Sequence, residues 1–346
     1  MFFSENERMT WPEKNLDFLN LNFLLLNAEN LFLLFDRNLE PNDLKLEESQ
    51  WQKLSSSIYE NKPLQKVLEL QKIIQEVNPD ILLLCEVGGE ESLRNFNEFF
   101  LGDQYFTALM EGNSDRHIDV GFLIRKSLPF YFDLQSNKNR PIHFNYHQDI
   151  DPTKPLTSLK FSRDVVELKL FKSDRENPFL LLLLGHLKSH LDPEKKDPHG
   201  FERRKAEMRT LIEIHEELIK LHPRTPQIVA GDFNGNAARN GTDPEFQILY
   251  ERTQLEDVLE LEGLKNENRW TFCQIRQSGK VEVKQLDYAF LSPELRSHLK
   301  PQSAHVYRFK DEFGFDLDRP VTLDAKLALP SDHYPLIFEL EKLPVW

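Results

Sequence analysis

Pro226-Gln227-Ile228-Val229-Ala230-Gly231-Asp232-Phe233-Asn234 is a short apolar run that ends on an acid and an amide. Its length and flanking turn residues predict a buried strand, and Gly231 is expected to permit a sharp turn before Asp232 and Asn234 project from the loop. The same design recurs along the chain. Asp80-Ile81-Leu82-Leu83-Leu84-Cys85-Glu86 delivers Glu86 at a strand end, and Gln285-Leu286-Asp287-Tyr288-Ala289-Phe290-Leu291 carries Asp287 inside an apolar strand. Asp332, in Ser331-Asp332-His333, directly precedes a strand expected over Tyr334 to Leu340, and Asn27-Ala28-Glu29-Asn30 stands near the start.

Isolated carboxylates in such positions are costly to bury unless they are paired or bound to metal. A hard, oxygen-preferring cation such as Mg²⁺ or Mn²⁺ relieves their repulsion and polarises a phosphoryl oxygen. Taken singly, each piece has a bland explanation. Gly-Asp-x-Asn is commonly a turn, Asp-His a surface pair, Asp287 a strand cap and Asn27 the closure of a turn. Their coincidence, each beside an expected strand, points to one site of the kind a metal-dependent phosphodiesterase needs.

Helical spacing is visible in two places. Pro63 to Asn78 carries Val67, Leu70, Ile74 and Val77, and Phe201 to Leu221 carries Met208, Leu211, Ile212, His215, Leu218 and Ile219. These two helices are expected to cover one face of a sheet. Cys85 lies inside an expected buried strand and Cys273 follows Trp270-Thr271-Phe272, so neither suggests a disulfide framework, and a reduced cytoplasm fits. Met1-Phe2-Phe3-Ser4-Glu5-Asn6-Glu7-Arg8 lacks the pattern of an export signal, and no later run approaches transmembrane length, so no stable membrane association is expected. The expectation is a cytoplasmic protein, or an exported one if a leader precedes this sequence.

The set of motifs resembles the endonuclease/exonuclease/phosphatase superfamily, which includes pancreatic-type DNases, abasic-site endonucleases, sphingomyelinases and inositol polyphosphate phosphatases. The resemblance runs from Leu21 to about Leu340, and Asn27-Ala28-Glu29-Asn30-Leu31-Phe32 is similar to the opening motif of a bacterial nuclease-like branch. It implies an α+β fold of two packed, mostly antiparallel sheets flanked by helices, the DNase-like four-layer sandwich, with the site at one end. The 346 residues are expected to form a single catalytic domain with a variable insertion at about 36–63 that includes Trp51.

Residue roles follow from the resemblance. It implies Glu86 as principal metal ligand, helped by Asn27 and Asp332, with Glu29 as a neighbouring acid. Asp232 would orient or deprotonate the attacking water, and Asn234 would hold that water or a phosphate oxygen. His333 would stabilise phosphoryl charge, with Asp287 on its other ring nitrogen. His186, in Gly185-His186-Leu187-Lys188-Ser189, stands at a position that is a catalytic histidine in the DNase branch, with Glu111 as candidate for the glutamate that orients it. Arg163, in Phe161-Ser162-Arg163-Asp164, resembles the phosphate-contacting arginine, and Asn27 and Lys188 are further candidate phosphate contacts.

A net charge of −14 argues against tight DNA binding, although part of it is the expected metal site itself. Lys188, Lys195, Lys196, Arg203, Arg204 and Lys205 form either a phosphate-tracking rim or a solvated helix start paired to Glu194 and Glu202. His186, His190, Asp192 and His199 lie close together but fit no compact zinc spacing. Cys85 stands where abasic-site and tyrosyl-DNA enzymes usually place glutamine, which points away from those branches. The leading expectation is a monomeric Mg²⁺- or Mn²⁺-dependent nuclease hydrolysing DNA, with RNA as the alternative polymer. A phosphatase or phosphodiesterase on a small molecule or lipid headgroup is the second, and a non-catalytic binding protein on the same scaffold the third.

Overall fold

The computed structural model describes residues 17–151, 153, 158–172, 176–192, 194–276 and 278–345; the Met1 to Arg8 stretch read above for an export signal lies outside them. In chain order its strands are β1 (Phe18–Leu31), β2 (Ile81–Val87), β3 (Tyr105–Leu109), β4 (Asp119–Arg125), β5 (Tyr131–Ser136), β6 (Val165–Phe171) and β7 (Leu180–His186). After these come β8 (Gln227–Asp232), β9 (Glu256–Asp257), β10 (Phe272–Ile275), β11 (Val281–Lys284), β12 (Asp287–Leu291), β13 (His305–Val306) and β14 (Leu336–Pro344). One sheet has the order β13-β14-β1-β2-β4-β3 and the other β5-β6-β7-β8-β12-β9, while β10 and β11 form a separate hairpin.

Each large sheet is antiparallel except for one pair, β1 with β2 in the first and β7 with β8 in the second. A parallel pair cannot be joined by a tight turn and needs a crossover, most simply a helix. The helix Leu64–Val77 makes the first crossover and the helix Phe201–Leu221 the second. The two helices therefore cover the outer faces of different sheets, not one face of one sheet as their spacing suggested. The resulting order is helix, sheet, sheet, helix.

Burial follows the layers. Leu180 to Leu184 are buried on both faces, as a strand between two covered faces must be. Leu182, Leu184, Ile228, Ala230, Ala289 and Leu291 join the core shared with the first sheet and with Val67, Leu70 and Ile74 of its helix. Leu181, Leu183, Val229 and Phe290 turn the other way and pack under Met208, Leu211, Ile212 and Leu218. Cys85 and Cys273 are both buried free thiols, and no helix among the described residues is long and apolar enough to cross a membrane.

The 36–63 segment is ordered by one buried aromatic. Trp51 is fully buried, its indole donates to the Lys62 carbonyl at 3.0 Å, and Phe35 meets its ring edge-on at 5.1 Å. Lys62 N–H returns to the Phe32 carbonyl at 2.8 Å, which closes the excursion back onto the end of β1.

Gly231 does not make the turn its sequence context suggested. It lies within β8, with Asp232 still in strand register beside His186 on β7 and Asp287 on β12. Its φ is +143°, and a Cβ added there would stand 1.8 Å from the Gly185 carbonyl oxygen. Glycine is required because two strands approach closely, and that approach is what sets His186 beside Asp232. Gly231→Ala is expected to cost more than about 4 kcal/mol or to prevent folding, because it combines a backbone clash with an unfavourable φ. Urea unfolding of the purified variant checks this, and a wild-type midpoint would contradict it.

Candidate active site

The ends of β1, β2, β7 and β8, the start of β12 and the residues before β14 converge at one edge of the two sheets, and the candidate residues come from these ends. Asp232, 1% exposed, is the centre. Its Oδ2 accepts from Asn27 Nδ2 at 2.9 Å and lies 3.6 Å from His186 Nε2 and 3.8 Å from His333 Nε2. Its Oδ1 accepts from the Asn234 backbone N–H at 2.8 Å, and Asn234 donates its own amide to the Leu187 carbonyl at 3.1 Å. The φ of Asn234 is 53°, so the loop bends sharply to bring its N–H back onto the acid.

Asp287 and His333 form the second part. His333 Nδ1 and Asp287 Oδ2 are 2.7 Å apart, which leaves Nε2 facing Asp232. Thr271 Oγ1 accepts from the Leu286 and Asp287 N–H groups and fixes the start of β12, while Ser331 Oγ donates to the Asn27 carbonyl at 2.7 Å and accepts from His333 N–H at 3.1 Å. Burial opposes the charged form of His333, but Asp287 and Asp232 outweigh it and hold the imidazole well above its ordinary range. His186 is pushed well below the ordinary range by burial, with Arg163 and His333 adding to the effect. Asp232 itself is raised, chiefly by burial. The two imidazoles are thus pushed in opposite directions on either side of one carboxylate.

Among the described residues, Asp232, Asp287 and His333 offer three ligand atoms within 4.8 Å of one another. Since His333 already shares a short hydrogen bond with Asp287, this trio reads as a proton-holding group. The oxygen donors suited to a hard cation lie at the ends of β2 and before β14. Glu86, with φ 61° and its side chain 14% exposed, accepts from Asn30 N–H at 3.2 Å. Asp332 is held below the ordinary carboxylate range despite its burial, by His333, Lys326 and Lys62. Two carboxylates with hard oxygens at the rim fit Mg²⁺ or Mn²⁺ by ligand type.

Several expected contacts are replaced by others. Glu111 does not orient His186: its backbone carbonyl accepts from Lys138, and among the described residues His186 Nδ1 is buried without a hydrogen-bond partner. Glu29 is turned to Lys66 at 3.1 Å and Lys62 at 3.7 Å, which compensate its charge, as Lys326 at 3.1 Å does for Asp332. Asn27 has its amide nitrogen on Asp232 and its oxygen on the Glu29 N–H at 3.0 Å, which makes it a holder of the central acid. The Lys188 ammonium turns onto the carbonyls of Ser189 and Leu191 in its own loop.

The basic stretch is likewise largely neutralised. Arg204 is buried against Glu245 at 2.6 Å, Arg203 lies 3.3 Å from Glu207, and Lys196 pairs with Glu194 and Asp149. Arg163 stays near the site, 6% exposed, donating to the Leu187 carbonyl at 3.3 Å and sensing Glu207, Glu86 and Asp232. Glu207 is a residue that sequence reasoning missed. Fully buried on the helix Phe201–Leu221, it accepts from the Ser162 and Lys188 N–H groups at 2.7 Å each, and so ties the Arg163 loop to the His186 loop. Lys62, which reaches from the 36–63 segment to donate to the Glu29 carbonyl at 3.0 Å, was missed too. Neither carries a local signal, since a charged residue on an amphipathic helix or in a loop looks like solvated surface.

The family model described as Endonuclease/Exonuclease/phosphatase family matches residues 58–333. No curated protein sequence matches the chain. Among solved structures, truncated TDP2 of Caenorhabditis elegans superposes with a TM-score of 0.55 at 17% identity, over 93% of this chain and 98% of that one. The human Nocturnin catalytic domain with bound sulfate gives 0.55 at 17%, over 92% and 93%. TDP2 of D. rerio complexed with single-strand DNA product gives 0.53 at 16%, over 92% and 98%. These likenesses show the fold.

Another buried acid lies on β9, opposite Phe290 of β12. Asp257 is fully buried, its Oδ2 accepts from Gln285 Nε2 at 2.8 Å, and burial pushes it up to about 7. An unfolded aspartate titrates near about 3.9, so between roughly pH 4 and 7 the folded state holds the extra proton. The associated stability is fully present below about pH 4 and is lost as pH rises through about 7. In chelator, wild type is expected to lose on the order of 2 kcal/mol more than Asp257→Asn between pH 5 and pH 8. Urea unfolding at the two pH values measures it; parallel losses would show that Asp257 does not titrate in this window.

Proposed function

The chain belongs to the endonuclease/exonuclease/phosphatase family, and on that premise we propose that it is a nuclease hydrolysing DNA phosphodiester bonds with Mg²⁺ or Mn²⁺. It is a metal-dependent hydrolase acting on phosphate ester bonds, as members of this family are. The observation that carries the reading is Asp232, buried and flanked at 3.6 and 3.8 Å by His186 and His333, whose proton affinities are pushed in opposite directions.

In this reading Asp232, raised toward neutrality by burial, orients the attacking water and accepts its proton as the water oxygen bonds to phosphorus. Asn234 keeps the Asp232 carboxylate fixed through its backbone N–H and helps to hold the water. His333, kept cationic and oriented by Asp287, faces charge that develops on the phosphoryl oxygens, and Arg163 adds a second positive group. His186 stays neutral and walls the other side. The ester oxygen that leaves takes a proton from solvent, and no covalent enzyme intermediate forms. Glu86 and Asp332 would hold a divalent cation, whose charge when bound polarises a phosphoryl oxygen. One domain, 1–346, carries the whole site in this proposal.

Support for a nucleic acid substrate comes from the D. rerio TDP2 neighbour, whose structure holds single-strand DNA product. A phosphoester of small size is the second reading, favoured by the neutralised Arg203, Arg204 and Lys196, which leave little basic surface to track a polymer.

Nicking of supercoiled plasmid by the purified protein tests both. Nicking is expected with Mg²⁺ or Mn²⁺ and not with chelator, and Asp232→Asn and His333→Ala should each lose on the order of 10² to 10⁴ in rate while remaining folded. Plasmid left intact under every metal, with phosphate released from small esters, would decide for the second reading. A variant that keeps near wild-type turnover would remove that residue from the mechanism.

A further inference from the structure

Arg116 lies in Ser114-Asp115-Arg116-His117, between β3 and β4, and takes no part in the mechanism above. One guanidinium nitrogen donates to Asn30 Oδ1 at 2.6 Å and lies 3.9 Å from Glu86 Oε2. The side chain is half exposed, at 50%. Its loop is shaped to hold it there: His117 adopts φ 52°, and its ring rests 5.4 Å from Tyr59 of the insertion, which is stacked on Phe32 at the end of β1.

Other cations near the site are engaged by neighbours. Lys62 and Lys66 face Glu29, Lys326 faces Asp332 at 3.1 Å, and Lys188 turns onto its own loop. Arg163 is buried in the floor formed by the second sheet. Both Arg163 and His186 sense the charge of Arg116, so the two guanidiniums act on one small region from different sheets. Arg116 has five N–H donors in a planar fork, and its closest partner is a neutral amide oxygen that a phosphate would outcompete.

We propose that Arg116 is a substrate phosphate-binding residue that pairs with Arg163 across the site, held beside Glu86 and Asn30 until a phosphate takes its fork. The proposal rests on the phosphoester reading and extends it, since it assigns anion recognition to the loop before β4 and to the insertion that braces it. A fork of donors matches two phosphate oxygens at once, whereas lysine offers a point charge, so Arg116→Lys should recover only part of the function.

Inorganic phosphate is the probe, added in chelator at matched ionic strength, with the rise in Tm as readout. Wild type should show a phosphate-dependent rise, Arg116→Ala should lose at least about half of it, and Arg116→Lys should fall between them. With bis(p-nitrophenyl) phosphate and Mn²⁺, the KM of Arg116→Ala should rise on the order of tenfold while kcat falls less, as expected for one lost charge-assisted contact in binding. Arg116→Gln serves if the alanine variant unfolds. A wild-type phosphate response in Arg116→Ala, or no response in wild type, would overturn the clamp, as would a loss confined to kcat. Plasmid left intact by a protein that retains the phosphate response would sink the nuclease reading and leave the clamp standing.

Discussion

A carboxylate removed from water at the seam of two sheets must be compensated, and the edge of this fold is arranged around that requirement. Asp232 receives an amide from β1, a backbone N–H from the loop after β8, and two imidazoles, one ending β7 and one preceding β14. Each partner comes from a different stretch of chain. The compensation therefore exists only when both sheets have formed and their faces have met. Gly231 lets β8 approach β7 closely enough for His186 to stand beside the acid, and Ser331 ties the last segment to the Asn27 carbonyl.

Electrostatics at this seam sets the chemistry. Burial alone would neutralise both histidines. Asp287, 2.7 Å from Nδ1, favours the charged form of His333, whereas among the described residues His186 Nδ1 has no hydrogen-bond partner and Arg163 adds to the effect of burial. The same residue type is thereby pushed in opposite directions by its second neighbour. The rim solves a different problem, with Glu29 paired to Lys62 and Lys66, Asp332 to Lys326, and Glu86 accepting from the Asn30 N–H.

Much of this edge was readable before any coordinates. Glu86, Asp232, Asp287 and Asp332 each follow or precede a short apolar run, and a strand of five to seven residues forces its terminal residue to one edge of a sheet. The two crossover helices were readable from their spacing. Their assignment to a single face failed because spacing records that a helix buries one stripe, not which sheet lies beneath it. Gly231 was misread as a turn because a glycine required by a neighbouring strand and one required by a bend look alike in sequence. Glu111, Lys188 and Glu29 make contacts the sequence did not suggest for a related reason: long side chains choose partners through space, and Lys66 lies far along the chain from Glu29.

The sequence by itself determined which segments would be strands, that acids and a histidine would gather where those strands end, and that the gathering suits phosphate ester chemistry. These are consequences of local pattern, since apolar runs bury and their polar termini mark the edge. Tertiary structure alone decided which acid is central, which histidine's charged form is favoured, and which cations are already taken. Glu207 joining the Arg163 and His186 loops, Lys62 reaching Glu29 from the 36–63 segment, and Arg116 resting beside Glu86 all depend on side chains meeting across elements. Such meetings are fixed by packing and register between distant parts of the chain, which no local pattern encodes.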